Sequence, residues 1–235
     1  MKLIIKLSSL MCLATLSILA RNNHADMLIN HVKASIGNAY NHTSKLIPNV
    51  LSLEGMSSSK VRHLLNNLCT LPGAGYLEIG AGPGSTFIAA LYKNTNILFE
   101  AIAIDNWSEY GYSRDTFIAK TQHHLPYKSF KLYEQDSFKV DIKNLFSKSV
   151  DIYFYDGNHT AESHCKAFTY YNSVFSDAFI AVINNWNYDV VRAGTQQAFT
   201  ELGYTILYGA ALPAQCAEDR ENWWNGLYVA VIQKK

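Results

Sequence analysis

From residue 73 onwards, short apolar runs alternate with stretches whose apolar positions recur at helical spacing. The runs GYLEIG (75–80), NILFEAIAI (96–104), SFKLYEQ (129–135), VDIYFY (150–155) and AFIAVI (178–183) predict strands. Between them STFIAALYK (85–93), TFIAKTQHHL (116–125), TAESHCKAFTYYNSV (160–174) and DVVRAGTQQAFTEL (189–202) predict helices, with a weaker helical pattern over 141–147. Strands joined by helical crossovers run parallel and are covered on both faces, so the pattern implies a doubly wound α/β sheet. YTILYGA (204–210) and GLYVAVIQ (226–233) have only a loop between them, which predicts a C-terminal antiparallel β-hairpin at the sheet edge.

Upstream, ADMLINHVKASIG (25–37) has helical spacing, and SSSKVRHLLNNLCTL (57–71) reads as an amphipathic helix behind a serine cap, ended by Pro72 and Gly73. The chain thus divides into a hydrophobic N-terminal segment (1–24), N-terminal helices (25–72) and a main domain (73–235). In the first segment MKLIIK precedes LSSLMCLATLSILA, an apolar run of about 14 residues that fits a signal, a membrane contact through residues 1–20 or a first helix. Ile18 stands where cleavage after Ala20 would want a small residue.

Cys12, Cys69, Cys165 and Cys216 form no CxxC pair, and the sequons at Asn41, Asn106 and Asn158 would put glycans on two loops assigned below to chemistry. Both features favour a cytoplasmic location over a membrane-associated or exported one. Lys plus Arg number 20 against 19 Asp plus Glu, with no basic stripe to neutralise a row of phosphates, so no nucleic-acid partner is expected. The sequence does not specify an oligomeric state.

The chemistry concentrates in YLEIGAGPGSTF (76–87), where Gly80, Gly82 and Gly84 stand between a predicted strand and a predicted helix. Glycines let the backbone approach a ligand and take positive φ, and the helix opened by Ser85 and Thr86 presents free N–H groups. Asp105, in AIAIDNW at the end of the second strand, is placed to accept both hydroxyls of a ribose. Glu78 separates two cofactors. A carboxylate repels the pyrophosphate of a dinucleotide but attracts the ammonium and sulfonium of S-adenosylmethionine. Ser85, standing at the third glycine of the dinucleotide pattern, agrees with the second choice.

LEIGAGPG, the acidic tip in AIDNW, YDGNH and the late hairpin together resemble the class I S-adenosylmethionine-dependent methyltransferases, over roughly residues 57–234. The resemblance implies a Rossmann-like fold, with Glu78, Gly80, Gly82 and Gly84 at the methionine end of the cofactor. It places Asp105 on the ribose, and Asp136 and Ser137 beside the adenine. In DGNHTAESH (156–164), Asp156, Asn158 and His159 face the same crevice, His159 as general base oriented by Asp156, while His164 is expected to face outward. A catechol-type magnesium (Mg) site would draw on Asp156, Asn184 and Asn185, but an amide replacing a carboxylate weakens a hard-cation site, so metal dependence is not favoured.

Trp107 and Trp186 are candidates to wall the pocket, and Arg192 and Thr195 to meet an anionic group. The expected activity is methyl transfer to a small-molecule acceptor or sugar-like hydroxyl, with oxygen favoured. A dinucleotide-dependent oxidoreductase and a non-catalytic exported binding module are the alternatives.

Overall fold

The computed structural model describes residues 23–125 and 130–235; the expectations for residues 1–22, Cys12 among them, lie outside these. Helix α1 runs through residues 23–40. Then come α2 (Pro48–Leu51), α3 (Ser59–Leu68), β1 (Gly75–Ile79), α4 (Ser85–Leu91), β2 (Glu100–Asp105), α5 (Arg114–His124) and β3 (Lys131–Glu134). The chain closes with β4 (Val150–Tyr155), α6 (Ala161–Thr169), β5 (Phe175–Asn184), α7 (Asp189–Leu202), β6 (Thr205–Leu212) and β7 (Leu227–Gln233).

The seven strands form one sheet in the order β3-β2-β1-β4-β5-β7-β6. The first five are parallel, and β7 runs antiparallel to both β5 and β6, as the missing crossover helix requires. Strand order reverses beside β1, between β2 and β4, so the crevice for a ligand opens beyond the carboxyl ends of these strands.

Alternating side chains of each strand feed two cores. Tyr76 joins Phe87, Leu64 and Leu68 on one face, and Leu77 and Ile79 join Tyr153, Phe168 and Phe179 on the other. Leu28, Val32 and Ile36 of α1 belong to the first cluster, so the N-terminal helices and the sheet share one core. Asn66 of α3 reinforces this by donating to the carbonyls of Ala89 and Tyr92 at the end of α4.

Local chemistry moves several boundaries. The strand expected over 96–104 begins only at Glu100, because Asn94 caps a turn with Ile97 N–H donating to its carbonyl at 2.7 Å. The weak helix at 141–147 is a single 3-10 turn, Ile142–Asn144, held by the Asp141 carboxylate. The helix expected to reach residue 174 stops at Thr169, and β5 starts at Phe175. Among the described residues no helix is long and apolar enough to cross a membrane.

Candidate functional site

The glycine turn after β1 bends the chain against the tip of β4. Gly80 has φ +85°, and a Cβ there would stand 2.0 Å from the Asp156 carbonyl oxygen. Only glycine lets these two strand ends come so close. Gly82, at φ +48°, has nothing nearer its Cβ position than Tyr112 at 3.9 Å, so its face is open to the crevice.

Around this turn lies a cleft of about 820 Å³, a size typical of small-molecule sites. It is lined by Gly80, Gly82 and Asp105, by Asp136 and Ser137 beyond β3, by Asp156, Asn158 and His159 beyond β4, and by Asn184 and Asn185 at the end of β5. Ten residues from five strand tips thus converge on one space. Seven non-glycine residues among those described have positive φ, and five of them line this cleft: Trp107, Tyr110, Asn185, Glu218 and Trp224. Such strained backbone concentrates at functional sites.

Asp105 is built into the turn. Its Oδ2 accepts from Gly82 N–H at 2.7 Å and its Oδ1 from Trp107 N–H at 2.7 Å, while the Trp107 indole donates to the Gly82 carbonyl at 2.8 Å. A carboxylate has about four acceptor positions, so two remain for a ligand's hydroxyls. Asp136 caps the turn Ser137–Lys139 by accepting from Phe138 N–H at 2.9 Å, and the Ser137 carbonyl accepts from Tyr171.

Glu78, Gly84 and Ser85 do not line the cleft. Glu78 is fully buried, accepting from the Tyr76 hydroxyl at 2.5 Å and from the Thr86 hydroxyl at 2.6 Å. Burial raises its pKa to about 8, against the opposing effect of these two hydrogen bonds. The group is therefore mostly protonated at neutral pH and ties β1 to the first turn of α4. Gly84, at φ +89°, is the N-cap of α4 beneath Phe117, and a Cβ on Gly55 would strike the buried Ser85 hydroxyl. The loop before α3 therefore covers the start of α4.

On the other side of the cleft, Asp156 accepts from Asn184 Nδ2 at 2.7 Å, and its pKa is raised, chiefly by burial. His159 Nε2 lies 3.8 Å from Asp156, too far for a hydrogen bond, but 2.5 Å from Asn185 Nδ2. The side chain in hydrogen-bond contact with His159 is thus Asn185, where Asp156 was expected. An amide N–H can only donate, so Nε2 is the acceptor in this contact. Asn184 and Asn185 are 4% and 1% exposed, and the Oδ1 atom of each has no donor.

Asp156, Asn184 and Asn185, the candidates for a metal, come together at the tips of β4 and β5. They carry a single carboxylate, and Asn184 turns an N–H donor towards it. Among the described residues no three His, Cys, Asp or Glu side chains group as metal ligands.

Other expectations change. His164 faces inward and is buried, its ring edge-on to Tyr155 at 4.9 Å, with both nitrogens unpaired; burial lowers its pKa to about 3. It sits on the face of α6 turned to Tyr155 of β4, while Gly194 of α7 lies against Ala161 at the start of the same helix. Trp107 does line the cleft, but Trp186 stacks on Tyr228 at 4.3 Å instead. Arg192 is held by the Trp186 carbonyl and Asp189, and Thr195 is wholly buried. The sequence reading missed Glu109, Tyr110, Tyr112, Tyr188, Glu218 and Trp224, which complete the wall from loops. The acidic and aromatic run WSEYGY just after Asp105 was the one signal for three of them.

Residues 77–186 match the family model described as a methyltransferase domain. No curated protein matches the chain in sequence. Among solved structures, an O-methyltransferase from Bacillus cereus in complex with SAH superposes with a TM-score of 0.54 at 14% identity, over 87% of this chain and 91% of that one. TrmN from Thermus thermophilus gives 0.55 at 12% identity over 80% of this chain and 52% of its own, so the chain spans about half the length of that protein. A Pyrococcus horikoshii protein ascribed to the RNA methyltransferases gives 0.50 at 15% identity, over 86% of this chain and 97% of that one. At these identities the likeness is one of fold.

Proposed function

We propose that this chain, which carries a class I S-adenosylmethionine-dependent methyltransferase domain, binds S-adenosylmethionine across the switch-point cleft and methylates an oxygen of a small acceptor, with His159 as general base. When bound, S-adenosylmethionine supplies a sulfonium-borne methyl group whose carbon–sulfur bond breaks as the acceptor oxygen attacks, the pair staying on sulfur. The observation that carries this reading is the division of the cleft. Gly80, Gly82, Asp105, Asp136 and Ser137 lie towards β3, and Asp156, His159, Asn184 and Asn185 lie towards β5. The first group suits a nucleoside: Asp105 has spare acceptor positions for ribose hydroxyls, and the open face of Gly82 admits close approach.

The second group suits the acceptor. His159 Nε2 holds a lone pair, and an acceptor hydroxyl that takes the place of the Asn185 N–H gives its proton to that nitrogen as its oxygen attacks. Asp156 stands 3.8 Å away and stabilises the imidazolium so formed by charge without a direct hydrogen bond. Alignment of the two reactants supplies the rest of the rate. The family match favours this reading over a dinucleotide-dependent oxidoreductase.

Calorimetry against S-adenosylmethionine, S-adenosylhomocysteine and NAD is the test. The two sulfur compounds are expected to bind and NAD not; NAD binding without S-adenosylhomocysteine would overturn the proposal. Asp105→Ala should weaken cofactor binding by about 1–3 kcal/mol, the cost of leaving hydrogen-bond partners unmade. His159→Ala should lower turnover by about 100- to 10,000-fold with cofactor affinity nearly intact. Activity that vanishes with a chelator while His159→Ala stays active would replace the base route with a metal one.

A further inference from the structure

Asn184 and Asn185 are neighbours in the chain, and each amide holds a different polar group of the segment that follows β4. Asn184 Nδ2 donates to Asp156 Oδ1 at 2.7 Å, and Asn185 Nδ2 to His159 Nε2 at 2.5 Å. Neighbouring side chains of an extended strand point to opposite faces, so a regular strand end would not aim both at one loop. Asn185 follows β5 with φ +60°, a left-handed conformation that asparagine tolerates better than most residues. The second amide is thereby brought round to the same segment as the first.

The turn that carries Asn185 is fixed from behind. Trp186 N–H donates to the Gly226 carbonyl at 3.0 Å, Asn187 N–H to the Asn225 carbonyl at 3.1 Å, and Tyr188 N–H to the Asn185 carbonyl at 3.0 Å. The Asn187 side chain donates to the Ala214 carbonyl at 2.9 Å, and Arg192 to the Trp186 carbonyl at 2.7 Å. Asn185 itself is 1% exposed, so packing adds to these bonds in holding its side chain in place.

His159 depends on this contact. Among the described residues Asn185 is the one hydrogen-bond partner of its ring, since Asp156 lies 3.8 Å away. Asn158, the next polar side chain along, is engaged by the following helix: its Oδ1 accepts from Thr160 N–H and from the Ser163 hydroxyl, both at 3.1 Å. A neutral imidazole free in water carries its proton mainly on Nε2. A donor facing that nitrogen reverses the preference, because the proton must then sit on Nδ1.

Resting on the methyltransferase reading above, we infer that Asn185 is a positioning residue that acts through His159, aiming the imidazole and holding it in the tautomer with a bare Nε2. An acceptor hydroxyl that displaces the Asn185 N–H then meets a nitrogen ready to take its proton. The role requires an amide. A carboxylate at position 185 has the same shape and the same tolerance of a left-handed backbone, but it only accepts, and so it draws a proton onto Nε2.

Nitrogen-15 NMR of the imidazole rings tests this on the full chain, at an alkaline pH where neutral imidazole dominates, with His159 assigned by the signals lost in His159→Ala. The wild type is expected to show a bare Nε2 and a protonated Nδ1. Asn185→Asp should move the proton to Nε2, and Asn185→Ala should return the ring to its aqueous preference, with the other histidines keeping their shifts. A merely structural asparagine would disturb neighbouring signals together and would not reverse one ring's tautomer. Calorimetry of the same proteins with S-adenosylhomocysteine separates the inference from the reading it rests on. Binding within about threefold of wild type is expected in both variants, and failure of the wild type to bind counts against the methyltransferase reading, not against the tautomer. A protonated Nε2 in the wild type, which needs no variant to detect, or a tautomer unchanged in Asn185→Asp and Asn185→Ala, would overturn the inference.

Discussion

Replacing Glu78 with glutamine isolates one buried proton. Its pKa is raised from 4.5 to about 8, first by burial and then by the nearby Asp156 and Asp105 charges, so the folded protein holds a proton there that the unfolded chain releases above pH 4.5. The sign follows. Stability from this group is complete below pH 4.5 and is lost as pH rises through 8. At 1.36 kcal/mol per pH unit, the loss between pH 5 and pH 9 is about 4 kcal/mol. Glutamine is nearly the same shape, carries no charge, and can accept from one of the Tyr76 and Thr86 hydroxyls while its amide donates to the other.

Urea denaturation of the two proteins from pH 5 to pH 9 is the assay. The variant is expected to lack that alkaline loss, so the stability difference between the proteins should itself change by about 4 kcal/mol across the range. Parallel pH curves for the two proteins would refute the buried, protonated Glu78. S-adenosylhomocysteine affinity adds a second readout, because a side chain that fastens β1 to α4 in its neutral form should tolerate glutamine within about threefold, a change of less than 1.4 kcal/mol. A loss of a hundredfold or more would restore the direct electrostatic role expected from the sequence.

Gly80→Ala should lower stability by about 3 kcal/mol or more and abolish S-adenosylhomocysteine binding, because it adds strain at φ +85° to a Cβ placed 2.0 Å from the Asp156 carbonyl oxygen; a variant with wild-type melting would contradict the close approach. His164→Phe should be neutral or stabilising by about 1–2 kcal/mol at pH 7, since it removes two unpaired buried nitrogens from an apolar setting. With a folded pKa of about 3 against 6.5 unfolded, His164 makes the wild type lose about 3 kcal/mol between pH 7 and pH 4, and the phenylalanine variant should not show that loss in urea titrations.

The fold was legible because its periodicities are clean. The helix expected over 189–202 is α7 to the residue, and the strand expected over 150–155 is β4. Errors fell where side chains compete with the backbone for hydrogen bonds, as Asp141 does, or where a buried strand extends past its apolar run: β5 includes Ser176 and Asp177, which no hydrophobic pattern would assign to a strand interior. His164 was misjudged for a related reason. Its polarity pointed to solvent, but that face of α6 is turned to the sheet, against Tyr155 of β4.

The site was legible only as far as it hangs on strand ends. Asp105 ends a strand and Gly80, Gly82, Asp136, Asp156 and His159 follow one, and the sheet brings strand ends together whatever the loops do. The outer wall of the cleft is built mainly from loops, and the one that carries Glu218 depends on Asp219, Asn222 and the contact with α3, relations between residues more than 150 positions apart in the case of Lys60 and Asn222. Glu78 shows the opposite failure. Its place in the strand was read correctly, but whether it is charged depends on the two hydroxyls and the apolar packing around it, and strand alternation turns it towards Tyr76 and Phe87, away from the cleft. A residue's distance along the chain from a glycine turn determines which strand tip it occupies; the face of the sheet it points to determines its chemistry. By that criterion Asp105, which accepts from Gly82 N–H at the cleft wall, is better placed than Glu78 for the cofactor contact proposed above.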